Sequence, residues 1–76
     1  MLTTFYFDVQ DAGGTLNRFE VRFELDSEAI QHGKELAAQM RRRHYPNRPG
    51  LIIVVLDQSS RKIHQERVYP ENEQGA

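Results

Sequence analysis

The spacing of apolar residues changes from strand to helix period at Asp26, and this change constrains the fold more than any other feature. Before Asp26, apolar and polar residues alternate, which is the period of a β-strand with one buried face. After Asp26, apolar residues recur at helical spacing, as they do on the buried side of an α-helix. The sequence therefore predicts extended backbone followed by one amphipathic helix.

Two strands are predicted before the helix. In residues 3–10 the apolar side chains share one face, and in residues 15–25 the apolar row from Phe19 to Leu25 alternates with charged residues. The glycines at 13–14 permit the positive φ of a tight turn, so the two strands should form a hairpin. We expect the row from Phe19 to Leu25 to be buried. Alternating charges discourage pairing with other chains, so the second strand suits the edge of a sheet.

The helix is expected to begin at Asp26 or Ser27, whose side chains can accept hydrogen bonds from the first turn. It should end at the arginines 41–43, where positive charge complements the helix dipole. Gly33 lies on the apolar stripe, which suggests a close approach to the sheet, whereas His32 is expected on the outer face. The stripe consists of Ala29, Ile30, Gly33, Leu36, Ala37 and Met40.

Two more strands follow the helix. The run from Leu51 to Leu56 is apolar and rich in β-branched residues, which is typical of a buried central strand. Residues 62–69 are mixed and charged, so they predict an edge strand that Pro70 ends. Residues 70–76 have little to bury and are predicted to form a disordered tail.

These elements predict a single α+β domain over residues 1–69, in the order ββαββ. The sheet should be antiparallel with four strands in the order 2-1-3-4, because the first and third strands are the most apolar, and the helix should cover one face. The alternative order 1-2-3-4 would place the charged second strand in the centre. The 76 residues include no cysteine, so neither a disulfide nor a thiolate zinc site can stabilise the core. A domain this small buries only about 60% of its unfolded surface, which favours self-association as a homodimer.

Net charge and hydropathy limit the partners. Ten Lys and Arg residues nearly balance eleven Asp and Glu residues, so overall charge gives no support for nucleic-acid binding. The N-terminal residues carry no basic leader of a signal peptide, and the longest apolar run is much shorter than the roughly 20 residues that span a bilayer. We expect a cytoplasmic protein without a membrane partner.

Short motifs along the chain are shared with one family. They are Phe5-Tyr6-Phe7-Asp8-Val9, the turn with Asp11, Leu25-Asp26-Ser27-Glu28-Ala29 at the helix start, Val54-Val55-Leu56-Asp57, and Arg61. In these the sequence resembles a family of short proteins of unknown function, known from soil and root-nodule alphaproteobacteria. The resemblance covers residues 4–68, but residues 17–20 replace an acidic-glycine segment and Ser60 replaces a glycine. It implies a small ββαββ domain and carries over no catalytic residue.

The side chains that could support catalysis do not form a recognisable motif. His32, His44 and His64 lack the helical spacing that would bring two of them to one metal, so we expect them to be solvated or capping residues. Serines 27, 59 and 60 lack the setting of a nucleophile. We therefore predict no catalytic residue, no metal ligand, no cofactor, no small-molecule substrate and no enzyme activity.

Three aspartates leave one alternative open. Asp8, Asp11 and Asp57 would meet at one end of the sheet if the first and third turns lie together. Paired carboxylates can act as acid and base or hold Mg²⁺. Asp is also the expected residue in turns, where its side chain bonds the backbone, and this is the interpretation we favour.

A basic segment follows the end of the helix. Arg41, Arg42, Arg43 and Arg48, with Tyr45 among them, could bind phosphate groups and stack on a base. Arginine at a helix C-terminus also has the ordinary role of complementing the dipole. A nucleic-acid-binding or phosphate-binding regulator is therefore the alternative function.

The sheet face opposite the helix is the leading candidate interface. Tyr6, with either Ile52, Val54 and Leu56 or their neighbours, should lie there, since one helix covers only one face. An apolar patch on that face would suit a second copy related by two-fold symmetry, although scattered exposed aliphatic residues are also common. We expect a non-enzymatic interaction module that self-associates through this open face or through an edge strand.

Overall fold

The computed structural model describes residues 1–69, and the tail predicted at residues 70–76 lies outside the described residues. The predicted order of elements is confirmed. They are β1 (Thr3–Asp11), β2 (Gly14–Phe23), α1 (Asp26–Arg42), β3 (Ile52–Leu56) and β4 (Lys62–Arg67). Within residues 1–69, no helix has both the length and the apolar composition needed to cross a membrane.

The sheet is antiparallel throughout, with its four strands in the order β2-β1-β3-β4, as predicted. β1 and β3 lie in the centre because their side chains are apolar enough to be buried. The Cα partners Phe7–Val55 and Val9–Ile53 place two apolar pairs side by side under the helix. The fold is thus a small α+β domain with the helix on one face of the sheet.

The core lies between the helix and the two central strands. The largest fully buried side chains are Phe5, Phe7, Ile53, Val55 and Val68. Helix α1 contributes only small residues to its buried stripe, namely Ala29, Gly33 and Ala37. Small residues let the helix backbone lie close to the bulky side chains of the sheet.

The helix lies close to the sheet at Gly33, as predicted from its position on the stripe. A Cβ atom added there would lie 2.7 Å from Cγ2 of Val55, which is well inside van der Waals contact. Val55 is fully buried and β-branched, so it has little freedom to move away. The absence of a side chain at Gly33 therefore sets the distance between helix and sheet.

The helix crosses the sheet from one corner to the other. Near its start, the His32 ring packs against Phe7 and Phe23, with centroid distances of 4.9 and 5.4 Å. Near its end, Arg41 donates to the backbone carbonyl of Val68, just after β4. The prediction of His32 on the outer face is wrong, because position 32 lies three residues after Ala29 and therefore beside the buried stripe.

The start of the helix differs from the prediction. Leu25 is the N-cap, and neither Asp26 nor Ser27 caps the first turn with its side chain. Instead, Glu28 reaches back and its carboxylate accepts the backbone N–H groups of Glu24 and Leu25, at 3.1 and 3.0 Å. This is the return half of a capping box, and it needs no polar side chain at the N-cap.

The helix ends in a Schellman motif. The N–H of His44 donates to the Arg41 carbonyl, and the N–H of Tyr45 donates to the Met40 carbonyl, at 3.0 and 2.9 Å. His44 occupies the left-handed position of this motif, with φ of 56°. Histidine therefore stands where glycine is the preferred residue.

The expected burial of the apolar row in the second strand is only partly correct. Val21 and Phe23 pack against the core, but Phe19 is 43% exposed and Leu25 is 59% exposed. Phe19 pairs with Phe7 on the helix side of the sheet, yet α1 packs on β2 at Phe23, through His32, and leaves Phe19 exposed. Alternation identified the face of each residue but not the reach of the helix.

Candidate functional site

The predicted interface residues all lie on the open face of the sheet, opposite the helix. Tyr6 pairs with Leu56, and Asp8 pairs with Val54, in the register of β1 and β3. Directly paired residues point to the same face, and Phe7 and Val55 occupy the other one. The sequence left open which residues of the third strand lie on this face. The register shows that they are Val54, Leu56 and, by the same alternation, Ile52, together with Tyr6 of β1.

A salt bridge covers part of this face. The Asp8 side chain is only 4% exposed and accepts two hydrogen bonds from its cross-strand partner Arg18, from Nε at 2.6 Å and from Nη2 at 2.9 Å. The same guanidinium lies 5.1 Å from the Tyr6 ring centroid, which is cation–π geometry. Hydrogen bonding to Asp8 and its negative charge raise the pKa of Arg18 above its ordinary value.

The apolar residues of the open face are buried or half-buried. Val54 is only 5% exposed, and Tyr6, Ile52 and Leu56 are half-buried. None of the four is among the exposed large hydrophobic side chains of residues 1–69. The open face thus presents Arg18 and its charged neighbours more than it presents an apolar patch.

The basic segment is divided between structural and exposed side chains. Arg41 holds the end of β4 through the Val68 carbonyl, and Arg48 lies 3.6 Å from the carboxylate of Asp11. Tyr45 accepts a hydrogen bond from Tyr69 at its backbone carbonyl. Of the four candidate arginines, Arg42 and Arg43 are exposed without a hydrogen bond or ion pair from their side chains to residues 1–69. The structure therefore does not gather the arginines into one cluster.

The three aspartates do not meet. Asp11 lies in the turn beside Pro49 and Gly50, whereas Asp57 follows Leu56, which pairs with Tyr6 near the opposite end of β1. Because β3 runs antiparallel to β1, the first and third turns must lie at opposite ends of the sheet. The hypothesis of a carboxylate cluster is wrong. Among residues 1–69, no group of three or more metal-ligating side chains is close enough to hold a metal ion.

Asp57 has the turn role that the sequence favours. Its Oδ1 accepts the backbone N–H groups of Ser59 and Arg61, each at 2.9 Å, and its Oδ2 lies 3.4 Å from Nε of Arg61. The backbone hydrogen bond from Arg61 is the main reason that the pKa of Asp57 is lowered, and the bond from Ser59 adds to it. Asp11 similarly accepts the N–H of Gly13 at 2.8 Å.

The remaining histidines lie apart. His44 closes the helix, and His64 in β4 places Nε2 2.9 Å from Oε1 of Glu66 on the same strand. With His32 packed on the aromatic rings of Phe7 and Phe23, the three imidazoles occupy three separate regions.

The sequence allowed an edge strand as the interface but named no residues there, and the outer edge of β2 is the edge with exposed apolar side chains. Within residues 1–69, β2 pairs only with β1, so one side of a ten-residue strand has no neighbouring strand. Leu16 and Phe19, 41% and 43% exposed, lie on it, and Leu25 follows its end. The other edge strand, β4, has six residues and no exposed large hydrophobic side chain. The sequence feature that could have indicated this edge is the length of the alternating segment after the glycine turn, since a long strand at the edge of a sheet leaves many backbone groups available for pairing.

With this geometry in hand, comparisons of the chain with protein-family models, with curated proteins and with solved structures give no match. The resemblance to the alphaproteobacterial family of short proteins stays a prediction.

Proposed function

We propose that this chain is a non-catalytic interaction module of the cytoplasm that self-associates through the outer edge of β2. The observation that carries the proposal is a long edge strand with exposed apolar side chains, Leu16 and Phe19, whose outer backbone groups pair with no other strand of residues 1–69. Such an edge readily pairs with another strand, and natural proteins otherwise cover or shorten it. A second copy is the simplest partner for a small domain of near-neutral charge.

The edge has more support than the open sheet face as the contact. Val54 and Asp8 are already buried in one copy, so a partner on that face would cover little additional apolar area. On β2, by contrast, Phe19 retains 43% of its accessible surface. Burial of apolar surface stabilises association by roughly 25 cal/mol per Å², so the exposed residue contributes more than the buried ones.

Sedimentation of the full chain over a wide concentration range tests the proposal. We expect a dimer whose dissociation constant rises when Phe19→Lys places a charge at the edge. Ile52→Glu, the matched variant on the open face, should leave the dimer intact. If Ile52→Glu dissociates the dimer and Phe19→Lys does not, the open face is the interface. A monomer at every concentration contradicts self-association altogether.

The alternative function, phosphate or nucleic-acid binding, has weaker support. Arg42 and Arg43 are exposed at the end of α1, but Arg41 and Arg48 are engaged by Val68 and Asp11. A gel shift at low salt that disappears in the double variant Arg42→Glu/Arg43→Glu would favour this alternative. The edge-strand proposal predicts no such shift.

A further inference from the structure

The charged side chains of β2 alternate in sign as well as in position. Along β2, the face of the sheet away from the helix carries in turn Arg18, Glu20 and Arg22, and Glu24 comes directly after the end of the strand. In an antiparallel pair, directly opposed residues point to the same face. If β2 pairs with β2 of a second copy, the charged side chains of one strand therefore lie opposite charged side chains of the other. The sign of each pair then depends on the register alone.

We infer that β2 pairs antiparallel with β2 of a second copy about a two-fold axis through Val21. This inference rests on the proposed self-association and specifies its geometry. The register opposes Arg18 to Glu24 and Glu20 to Arg22, each pair occurring twice by symmetry. All four cross-strand charge pairs are therefore attractive. The two sheets join into one continuous sheet of eight strands, with both helices on the same side.

The neighbouring registers lack this complementarity. An axis through Glu20 would oppose Arg18 to Arg22 and Glu20 to itself, so that every charge pair is repulsive. An axis through Phe19 would form two attractive pairs of Arg18 with Glu20, half the number of the Val21 register, and would oppose Arg22 to Leu16. Like charges directly opposed across strands are destabilising, whereas opposite charges stabilise the pair. The charges thus disfavour the register through Glu20 and favour the register through Val21 over the one through Phe19.

The side chains on the helix side of β2 agree with the same register. The axis through Val21 opposes Phe19 to Phe23 and Val21 to itself, so the phenylalanine that α1 leaves uncovered would lie against an aromatic residue. Leu25, 59% exposed, would lie opposite Asn17 of the second copy. Two exposed apolar side chains of one copy, Phe19 and Leu25, would thereby gain neighbours.

The existing contacts leave the charged groups available. Arg18 bonds Asp8 through Nε and Nη2, and its Nη1 remains for a second carboxylate. Glu20 and Arg22 make no salt bridge within residues 1–69, and Glu24 has only an exposed contact of 3.4 Å with the N-terminal amine. Their pairing across the axis would not require any buried ion pair to break.

Charge reversal tests the register. Glu20→Arg and Arg22→Glu should each raise the dissociation constant of the dimer by about tenfold or more, because each opposes like charges twice. An equimolar mixture of the two variants should regain wild-type affinity as a heterodimer, since its opposed residues are again of opposite sign. Glu35→Arg and Arg42→Glu, on the outer face of α1, carry the same charge changes and should leave the dimer unchanged.

Cross-linking locates the axis independently. The chain has no cysteine, so Val21→Cys introduces a single thiol that meets its symmetry mate on the axis and should form a covalent dimer under mild oxidation. Phe19→Cys, two residues away, should cross-link much less. Efficient cross-linking at 19 and not at 21, or no rescue in the mixture, overturns the register while a dimer still supports the proposed function. A monomeric wild-type protein overturns both.

Discussion

Two residues other than glycine have a left-handed backbone within residues 1–69. His44 has a left-handed backbone at the end of α1, with φ of 56°, and Ser60 has φ of 66° in the turn before β4. A side chain at either position must tolerate a conformation that glycine adopts without strain.

Replacing His44 with glycine should stabilise the protein. The Schellman hydrogen bonds use only backbone atoms, so His44→Gly retains them and relieves the left-handed strain. We expect the free energy of unfolding to rise by about 1 kcal/mol, measured by urea denaturation. His44→Ala removes the imidazole but keeps a Cβ atom, and it should give no such increase. Equal stabilisation by both variants would show that the imidazole, not the backbone, is unfavourable.

Asp57 makes part of the stability depend on pH. The native state lowers the pKa of Asp57, so the carboxylate contributes stability that is present above its ordinary pKa and is lost as the pH falls through the lowered value. We expect Asp57→Asn to be less stable than the wild type at neutral pH and the difference to shrink on strong acidification. Urea midpoints at several pH values measure this. Glu35→Gln, which also removes one carboxylate, is the control. A difference that does not change with pH contradicts the role given to the charge.

At the level of elements, the change of period at Asp26, the apolar run from Leu51 to Leu56 and the mixed segment 62–69 were enough to predict the strands, the helix and their order. The sheet order followed because only β1 and β3 are apolar enough to be central. The sequence could not indicate how far α1 extends over β2, so the exposure of Phe19 was missed. Nor could it predict that Arg18 lies opposite Asp8, because that pair depends on the register of the hairpin.

The candidate site was less predictable than the fold. Tyr6, Ile52, Val54 and Leu56 do share the open face, but a pattern of apolar residues does not predict that the Arg18 guanidinium lies over the Tyr6 ring. Likewise, the arginines adjacent in sequence near the end of α1 are used differently, since Arg41 contacts the Val68 carbonyl and Arg42 lines a shallow groove with Lys34.

The packing of α1 on the sheet yields a prediction about Gly33. Gly33→Ala would gain roughly 1 kcal/mol of helix propensity, but the new methyl group overlaps Val55, and overpacking of a core costs about 1–3 kcal/mol. We expect a net loss of about 1 kcal/mol in the free energy of unfolding. In a Val55→Ala background the same substitution should be neutral or stabilising, because the obstructing methyl groups are gone. Stabilisation of the wild type by Gly33→Ala would contradict the close contact.

At the scale of the whole molecule, a small core and a long edge strand belong together. The chain has no cysteine and therefore no disulfide, and within residues 1–69 no further strand lies beyond β2. Pairing of two edges would lengthen the sheet and give each copy a larger shared core. The alternating charges of β2, which first suggested an edge that avoids partners, are also those that make one partner arrangement favourable.

Amide hydrogen exchange along β2 of the full chain is the sharpest test of edge pairing, because alternate backbone N–H groups of this strand point away from β1. At high concentration we expect these outward amides to become protected, with protection centred on Val21. Dilution or Phe19→Lys should remove this protection while the amides facing β1 remain slow. Fast exchange of the outward amides at every concentration would contradict edge pairing.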